Sequence, residues 1–275
     1  MRTRRISLTG RPLPVALNLT RPGMPSVDSI HEARRVITTR GRRFRVIRTT
    51  EVDEYESTPA AVSLRRALAR RAPSAAALAA ATKNKPTGDQ FAGTSRKAAK
   101  LSIAPGPTTT FADLKSLIES LVADDKMVAH KPKIKTTASA GRVKEENKNV
   151  KVKAFLYAAS REDDNDFHLI VGRATTKSPE MYMTMELSGL PPANSPALPE
   201  LTAARNAFKA FFAKPGAKLP DFSYDFYDPP IPVTIAGSLF FDMNHATGTR
   251  PGPPSLKSRM PTIWEVHPVT SIALG

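Results

Sequence analysis

The sequence has no cysteine and few aromatic residues, and each shortage excludes a class of protein. Without cysteine, the 275-residue chain has no disulfide scaffold, no thiol nucleophile and no cysteine-ligated zinc site. No apolar run approaches the length of about 18 residues that a membrane-spanning helix needs. We therefore expect no transmembrane segment and a cytoplasmic protein.

Aromatic residues and positive charge are concentrated at opposite ends of the chain. Aromatics make up 7% of the sequence and lie mostly in its C-terminal part, where we expect the hydrophobic core. Residues 1–100 contain 21 Lys and Arg against 7 Asp and Glu, whereas residues 151–275 contain 12 of each. These shifts predict three parts: a basic, largely disordered arm and linker over 1–109, an amphipathic helix with its connector over 110–149, and a folded domain over 150–275.

The N-terminal end is open to three interpretations. Its first 23 residues contain five arginines and no acidic residue, which predicts either a disordered leader or an N-terminal targeting segment. Translation from Met24 in place of Met1 is the third interpretation. A basic arm also predicts phosphate contacts, so residues 1–100 are expected to bind nucleic acid.

Residues 110–125 have the clearest helical pattern in the chain. Thr110 is the predicted N-cap, and Asp113 follows three residues later. Apolar residues then recur at helical spacing, at Phe111, Leu114, Leu117, Ile118, Leu121 and Val122. The pattern predicts a helix that docks its apolar face on the C-terminal domain.

Alternating apolar residues predict five strands in the C-terminal domain. They begin near Val150, Phe167, Met181, Ile231 and Trp264, and a helix from Glu200 to Ala213 separates the third from the fourth. This order is that of an OB-like five-stranded β-barrel, in which Gly172 or Gly237 would supply a bend. A small open α+β sheet is the alternative.

Three segments of this domain carry a resemblance to other proteins. The segments EDDNDFHLIVG, GSLFFDMNHATG and PTIWEVHPVTSI contain an Asp-x-His strand, a Phe-Phe-Asp…His strand end and a closing Trp-Glu-x-His-Pro-Val strand. In these three motifs, residues 150–275 resemble a family of bacterial proteins whose function is not established. The resemblance implies a small OB-like barrel and brings no activity with it.

The domain contains three histidines, and each stands close in sequence to a carboxylate. The pairs are His168 with Asp166, His245 with Asp242, and His267 with Glu265. Alternation along the strands puts the first and third pairs on polar faces, so neighbouring strands would gather them on one side of the sheet. The three histidines are candidate ligands for Zn²⁺, Mn²⁺ or Fe²⁺, and all six residues are candidates for acid–base catalysis. Hydrogen bonds that join adjacent strands are the structural alternative.

The leading prediction is a non-enzymatic, OB-like binding module for nucleic acid. The basic arm would contact phosphates, and Tyr224, Phe226 and Tyr227 are candidates for stacking on bases. A loop folded over the end of the barrel is the competing interpretation of these aromatic residues. The first alternative function is a metal-dependent hydrolase, similar to a phosphodiesterase or nuclease, that uses the His/carboxylate cluster. The second is an accessory domain that binds another protein through its proline-rich loops.

Overall fold

The computed structural model describes residues 20–53, 88–214, 218–247 and 250–275. The described chain is mainly β, as predicted from the sequence. Its strands are β1 (Ile30–Thr39), β2 (Arg42–Thr49), β3 (Thr108–Phe111), β4 (Asn149–Arg161), β5 (Phe167–Gly172), β6 (Tyr182–Leu187), β7 (Asp225–Phe241) and β8 (Trp264–Leu274). Its α-helices are α1 (Lys97–Lys100), α2 (Leu114–Glu119), α3 (Asp124–Val128) and α4 (Leu198–Phe212).

Five of the strands pair in a closed ring. Antiparallel pairs join β4 to β5, β5 to β6, β8 to β7 and β7 back to β4, and a short parallel pair joins β6 to β8. Helix α4 lies between β6 and β7 in the chain. Outside the ring, β2 pairs with β7, β1 pairs with β2, and β3 runs parallel to β4.

The ring strands bury apolar residues on one face and mixed residues on the other. The first face, with Leu169, Met185 and Val266, belongs to the larger hydrophobic core, which α4 covers with its phenylalanines. The opposite face of β5, β6 and β8 carries polar side chains next to a second apolar cluster around Tyr182. Alternation along the strands therefore separates an apolar interior from a buried polar face.

Gly237 allows β8 to approach β7 closely. The register between the two strands shifts on both sides of this residue. A Cβ atom at position 237 would lie 2.3 Å from the carbonyl oxygen of Pro268, a distance that no side chain tolerates. The irregularity is the kind of strand bend for which Gly237 was a sequence candidate.

The structure departs from the predicted disordered arm in the parts of residues 1–109 that it describes. Strands β1 and β2 extend the sheet, and Ile37, Phe44 and Val46 lie in the larger core. Residues 88–104 cover the polar face of the ring. The remaining parts of the predicted arm, residues 1–19 and 54–87, lie outside the described residues, as does the predicted targeting segment.

The predicted helix over residues 110–125 is wrong in its extent. Thr108–Phe111 is strand β3, Asp113 in place of Thr110 caps α2, and a break separates α2 from α3. The break has a tertiary cause, because the carbonyl of Val122 accepts a hydrogen bond from the indole of Trp264 at 2.8 Å. The docking prediction does hold for α2, since Leu114 and Leu117 are buried in the larger core.

No α-helix in the described part of the chain is long and apolar enough to cross a membrane.

Candidate metal centre

Strand register assembles a polar cluster on the covered face of β5, β6 and β8. His168 is opposite Glu186, and Thr184 is opposite Glu265. His267 lies two residues after Glu265 and therefore shares its face of β8. Asp166 comes just before β5. The cluster is inaccessible to bulk solvent: Asp166 and His267 are 0% exposed, Glu265 is 1% exposed and Glu186 is 3% exposed.

His267 lies at the centre of three carboxylates. Its Nε2 atom is 3.2 Å from Oδ2 of Asp166. Its Nδ1 atom is 3.0 Å from Oε2 of Glu186 and 3.5 Å from Oε2 of Glu265. One imidazole therefore faces carboxylate oxygens on both sides of its ring.

These contacts are short enough to act as hydrogen bonds on the pKa of His267, but they are poorly aligned. The atoms without an aligned hydrogen bond are both ring nitrogens of His267, both carboxylate oxygens of Glu265, Oδ2 of Asp166 and Oε2 of Glu186. Buried polar atoms are nearly always hydrogen-bonded, so six exceptions in one cluster call for an explanation. Atoms that ligate one ion at about 2.0–2.2 Å lie roughly 3.0–3.5 Å apart and point at the ion, not at each other.

The cluster holds more negative charge than its cations balance. Burial raises the pKa of Asp166 to about 7, and burial together with Glu186 raises the pKa of Glu265 to about 8. Burial alone would lower the pKa of the His267 imidazole. Glu186 and the other two carboxylates have the larger effect and raise this pKa well above its usual value. Burial alone would raise the pKa of Glu186, but His267 and Lys100 hold it well below its usual range. The site therefore needs protons or a cation to be stable near neutral pH.

Lys100 is the second cation of the cluster. Its Nζ atom is 3.3 Å from Oδ2 of Asp164, 3.9 Å from Oδ2 of Asp166 and 4.0 Å from Oε2 of Glu186. These carboxylates, together with Asp242, keep the pKa of Lys100 above its usual value, although burial alone would lower it.

The segment that carries Lys100 is fixed by the buried Arg96 and the half-buried Arg142. Arg96 makes a bidentate ion pair with Glu146, with both N–O distances at 2.7 Å. Arg142 donates to the carbonyls of Ala99, at 2.8 Å, and of His267, at 2.7 Å. These contacts tie residues 96–102 to the ring and hold the lysine against the carboxylates.

A second His/carboxylate group lies beside the first and is well hydrogen-bonded. Nδ1 of His168 is 2.5 Å from Oε1 of Glu162, and its Nε2 is 3.2 Å from the hydroxyl of Thr184. Asp53 is close enough to complete a three-residue ligand set with Glu162 and His168, and it accepts a hydrogen bond from the amide of Gly252 at 2.6 Å. Glu186 connects the two groups, because its Oε1 atom is 3.7 Å from Nδ1 of His168.

A cavity of about 270 Å³ lies beside the two groups and reaches them through Glu186 of the first and through Asp53 and Glu162 of the second. Its lining is strongly acidic and includes Asp53, Glu162, Asp163, Asp164, Glu186 and Asp242 together with Lys100 and His245. Nε2 of His245 is 3.5 Å from Oδ2 of Asp242 at the edge of this space. A small ligand in the cavity would meet carboxylates, one ammonium group and one imidazole.

The structure brings together most of the residues that the sequence singled out. Asp166, Glu265 and His267 meet in the first group, and His168 lies in the second. Asp242 and His245 line the cavity but are outside both ligand sets. The three histidines therefore do not converge on a single point, and of the three only His245 lines the cavity.

The structure does not support the prediction that Tyr224, Phe226 and Tyr227 stack on a ligand. Tyr224 and Phe226 are 0% exposed, and Tyr227 is 2% exposed. Phe226 and Tyr227 belong to β7, where they pair with Ile47 and Val46 of β2. Strand β2, which the sequence analysis assigned to the arm, pairs with this part of β7. The rings are therefore buried and have no face free for a base.

Four important residues were missing from the sequence candidates: Glu186, Glu162, Lys100 and Asp53. The sequence does contain a signal for Glu186, because Met183 and Met185 mark the apolar face of its strand and alternation places Glu186 on the opposite, polar face. Lys100 and Asp53 had none, since both lie in segments without strand or helix periodicity. Imidazole with two or three carboxylates suits Zn²⁺, Mn²⁺ or Fe²⁺, and Asp166, Glu186 and His267 are the residues that would hold the ion.

Comparison with known proteins adds no constraint on function. The chain matches no protein-family model, and no curated protein or solved structure is significantly similar to it.

Proposed function

We propose that the chain is a divalent-cation-dependent hydrolase that acts on phosphoesters within the acidic cavity. The observation that carries this proposal is the group of six buried polar atoms of His267 and its three carboxylates, five of which lie 3.0–3.5 Å from a partner in the group in poorly aligned contacts. A cation held by Asp166, Glu186 and one ring nitrogen of His267 would satisfy the atoms that face it and would neutralise carboxylate charge.

A cation in this group would supply a nucleophile at neutral pH, because it lowers the pKa of a bound water. The chain's own residues would do the rest. Lys100 brings a positive charge to the cavity, where it would offset negative charge on a phosphoryl group. Glu162, which is bonded to His168, lines the same cavity and would take up a proton there.

We also propose that the ring of strands is OB-like. Three features support this: the antiparallel order of the first three ring strands, the parallel pair between the third and fifth, and a helix between the third and fourth. OB domains bind oligonucleotides on the face of their second and third strands. In this chain that face carries His168 and Glu186, which are 1% and 3% exposed, so a nucleic-acid strand has no access to it. We therefore place nucleic-acid binding second at this face.

Hydrolysis of bis(p-nitrophenyl) phosphate, a general phosphodiester probe, tests the proposed activity. The full-length chain, freed of any affinity tag, is stripped with a chelator and assayed with added Mn²⁺, Zn²⁺ or Mg²⁺. We expect turnover only with metal, and at least a hundredfold less in Glu186→Gln. The control is Glu145→Gln, which removes a carboxylate from the His130 ion pair outside the cluster.

Two results would contradict the proposal. Equal turnover in Glu186→Gln and in the unmodified chain would mean that the activity comes from elsewhere. Metal binding without turnover on this probe or on p-nitrophenyl phosphate would reduce the site to cation binding alone. Thermal unfolding of each variant checks that the substituted chains are folded.

A further inference from the structure

A second concave surface, which shares no residue with the acidic cavity, lies outside the ring. This groove of about 720 Å³ is formed by α4, the middle of β4, residues 232–234 of β7 and the last residues of β8. The turn between β1 and β2 borders it through Arg40.

The charge of the groove is opposite to that of the cavity. Its cationic residues are Arg40, Lys153, Arg173, Lys177 and Lys214, and its single acidic residue is Asp113. Arg173 already neutralises Asp113, with Nε 2.9 Å from Oδ1. Among the described residues, no Asp or Glu carboxylate lies within ion-pair distance of Lys153, Lys177 or Lys214. Lys214 donates to the hydroxyl of Thr39 at 2.6 Å and so keeps its charge, whereas Arg40 donates to the main-chain oxygen of Gly275, the last residue of the sequence, at 2.9 Å.

The most exposed residues on the floor of the groove have small side chains. Ala207, Ala210 and Ala273 are exposed, whereas Phe155 is half-buried and Phe211 is 5% exposed. The groove therefore exposes little aromatic surface on which a base would stack. A protein partner usually inserts aromatic or aliphatic anchors into apolar pockets, and small, flat side chains do not form such pockets.

We infer that this groove binds the phosphate backbone of a nucleic acid without reading its base sequence. Three unneutralised lysines around a floor of mostly small side chains provide charge complementarity to a phosphate chain, and backbone contacts carry no sequence information. The inference does not depend on the proposed hydrolase, because the groove and the acidic cavity have no residue in common.

Fluorescence anisotropy with a labelled 20-nucleotide single strand tests the inference on the full chain. The triple variant Lys153→Ala/Lys177→Ala/Lys214→Ala removes three groove cations. A matched control, Lys131→Ala/Lys133→Ala/Lys135→Ala, removes the same charge from exposed lysines outside the groove. The comparison separates the groove from the general attraction of a chain with net charge +16.

We expect Kd to rise at least fivefold in the groove variant and to stay within twofold in the control. The slope of log Kd against log salt should become shallower by about 2, since each lost contact with a single strand removes roughly 0.7. Equal weakening in both triple variants would overturn the inference. Competition by polyglutamate as effective as that by unlabelled oligonucleotide would also overturn it, because any polyanion would then suffice.

Discussion

Lys100 is the residue on which the charge balance of the carboxylate cluster depends. It contributes the only ammonium group among the described residues that lies within 4.0 Å of both Asp166 and Glu186. A divalent cation bound by those two carboxylates and His267 would be repelled by this lysine. The same lysine would help catalysis if a phosphoryl group enters the cavity.

Replacing Lys100 with methionine should therefore separate binding from catalysis. We expect Lys100→Met to tighten Mn²⁺ binding about tenfold and to lower the rate of phosphodiester hydrolysis. Titration calorimetry on the chelator-stripped chain gives the affinity, and the initial rate at saturating metal gives the activity. If the lysine is only a structural countercharge, the variant will lose stability and bind metal no better than the unmodified chain.

Asp113 provides a pH-dependent contribution to stability far from the cluster. Hydrogen bonds from Arg173 hold its pKa below the usual value, and its side chain also caps α2 by accepting from the amide of Lys115 at 2.9 Å. Because the folded-state pKa is lower than the unfolded one, the stabilisation is present above the unfolded value. It is lost as the pH falls through the folded value.

Asp113→Asn keeps a capping residue and removes the charge. We expect it to lower the free energy of unfolding by about 1 kcal/mol at pH 7 and by less near pH 3, where the carboxyl group of the unfolded chain is largely protonated. Urea denaturation at both pH values measures the change. Glu119→Gln, in the exposed pair with Lys115, should change stability by less than about 0.5 kcal/mol at either pH. A cost for Asp113→Asn that is as large near pH 3 as at pH 7 would contradict the assignment to Arg173.

At the residue scale, the sequence predicted the polar cluster in outline. Alternation alone was enough to place Asp166 with His168 and Glu265 with His267 on the polar faces of their strands. It could not show which side of His267 each carboxylate would occupy, because that depends on the parallel pair between β6 and β8. Lys100 was beyond prediction, since it reaches the cluster from a segment with no periodic pattern.

At the scale of elements, the segment over residues 88–104 is the main structural addition to the ring. Its position depends on side chains that bond to backbone groups, such as Asn149, which donates to the carbonyl of Ala104 at 2.8 Å. The Arg96–Glu146 pair is the strongest of these contacts. Glu146 also accepts from the amide of Phe241 at 2.8 Å, so the pair connects the segment to the end of β7.

Breaking this buried pair on one side should be costly. Glu146→Gln leaves the guanidinium of Arg96, which is 1% exposed, without its counterion. We expect a loss of about 3–5 kcal/mol in the free energy of unfolding, measured by urea denaturation. The double variant Arg96→Met/Glu146→Leu should recover much of this loss. A double variant that is less stable than Glu146→Gln would show that the pair does not act as a unit.

Strands were easier to predict than helices in this chain. Each predicted strand of the C-terminal domain is present, because alternating residues that face a core on one side leave a clear pattern. The helix over 110–125 failed because tertiary bonds outweighed helical propensity. Besides Trp264, the carboxylate of Asp124 contributes: it bonds to the hydroxyl of Thr262, at 2.6 Å, and to the guanidinium of Arg250, at 2.7 Å.

At the scale of the whole molecule, the predicted domain boundary at residue 150 does not match the packing. The larger core includes Ile37 and Phe44 from the first strands and Leu117, Met127 and Ile134 from the connector. A fragment of residues 150–275 would expose the apolar faces that these side chains cover. We expect it to aggregate or to unfold without a cooperative transition, in contrast to the full chain, as judged by near-ultraviolet circular dichroism and thermal melting. A cooperative melt close to that of the full chain would restore the predicted boundary.

The described part of the molecule also separates its charges. Carboxylates gather in the cavity at the start of β5, and unneutralised cations gather in the groove along β4 and α4. The sequence predicted basic character for the N-terminal arm alone, because Lys153, Lys177 and Lys214 are spread among acidic residues along the chain. Only the fold brings these lysines to one groove.

The metal content of the purified, tag-free full chain tests the central claim most directly. Elemental analysis, with Glu186→Gln as the matched variant, measures whether the cluster around His267 holds an ion. The account predicts about one Zn, Mn or Fe per chain after equilibration with these metals, and less than about a tenth of that in a folded Glu186→Gln chain. Absence of metal from both proteins, with no change in melting temperature on adding Mn²⁺ or Zn²⁺, would contradict it. Lys100 and shared protons would then balance the carboxylates in a purely structural cluster.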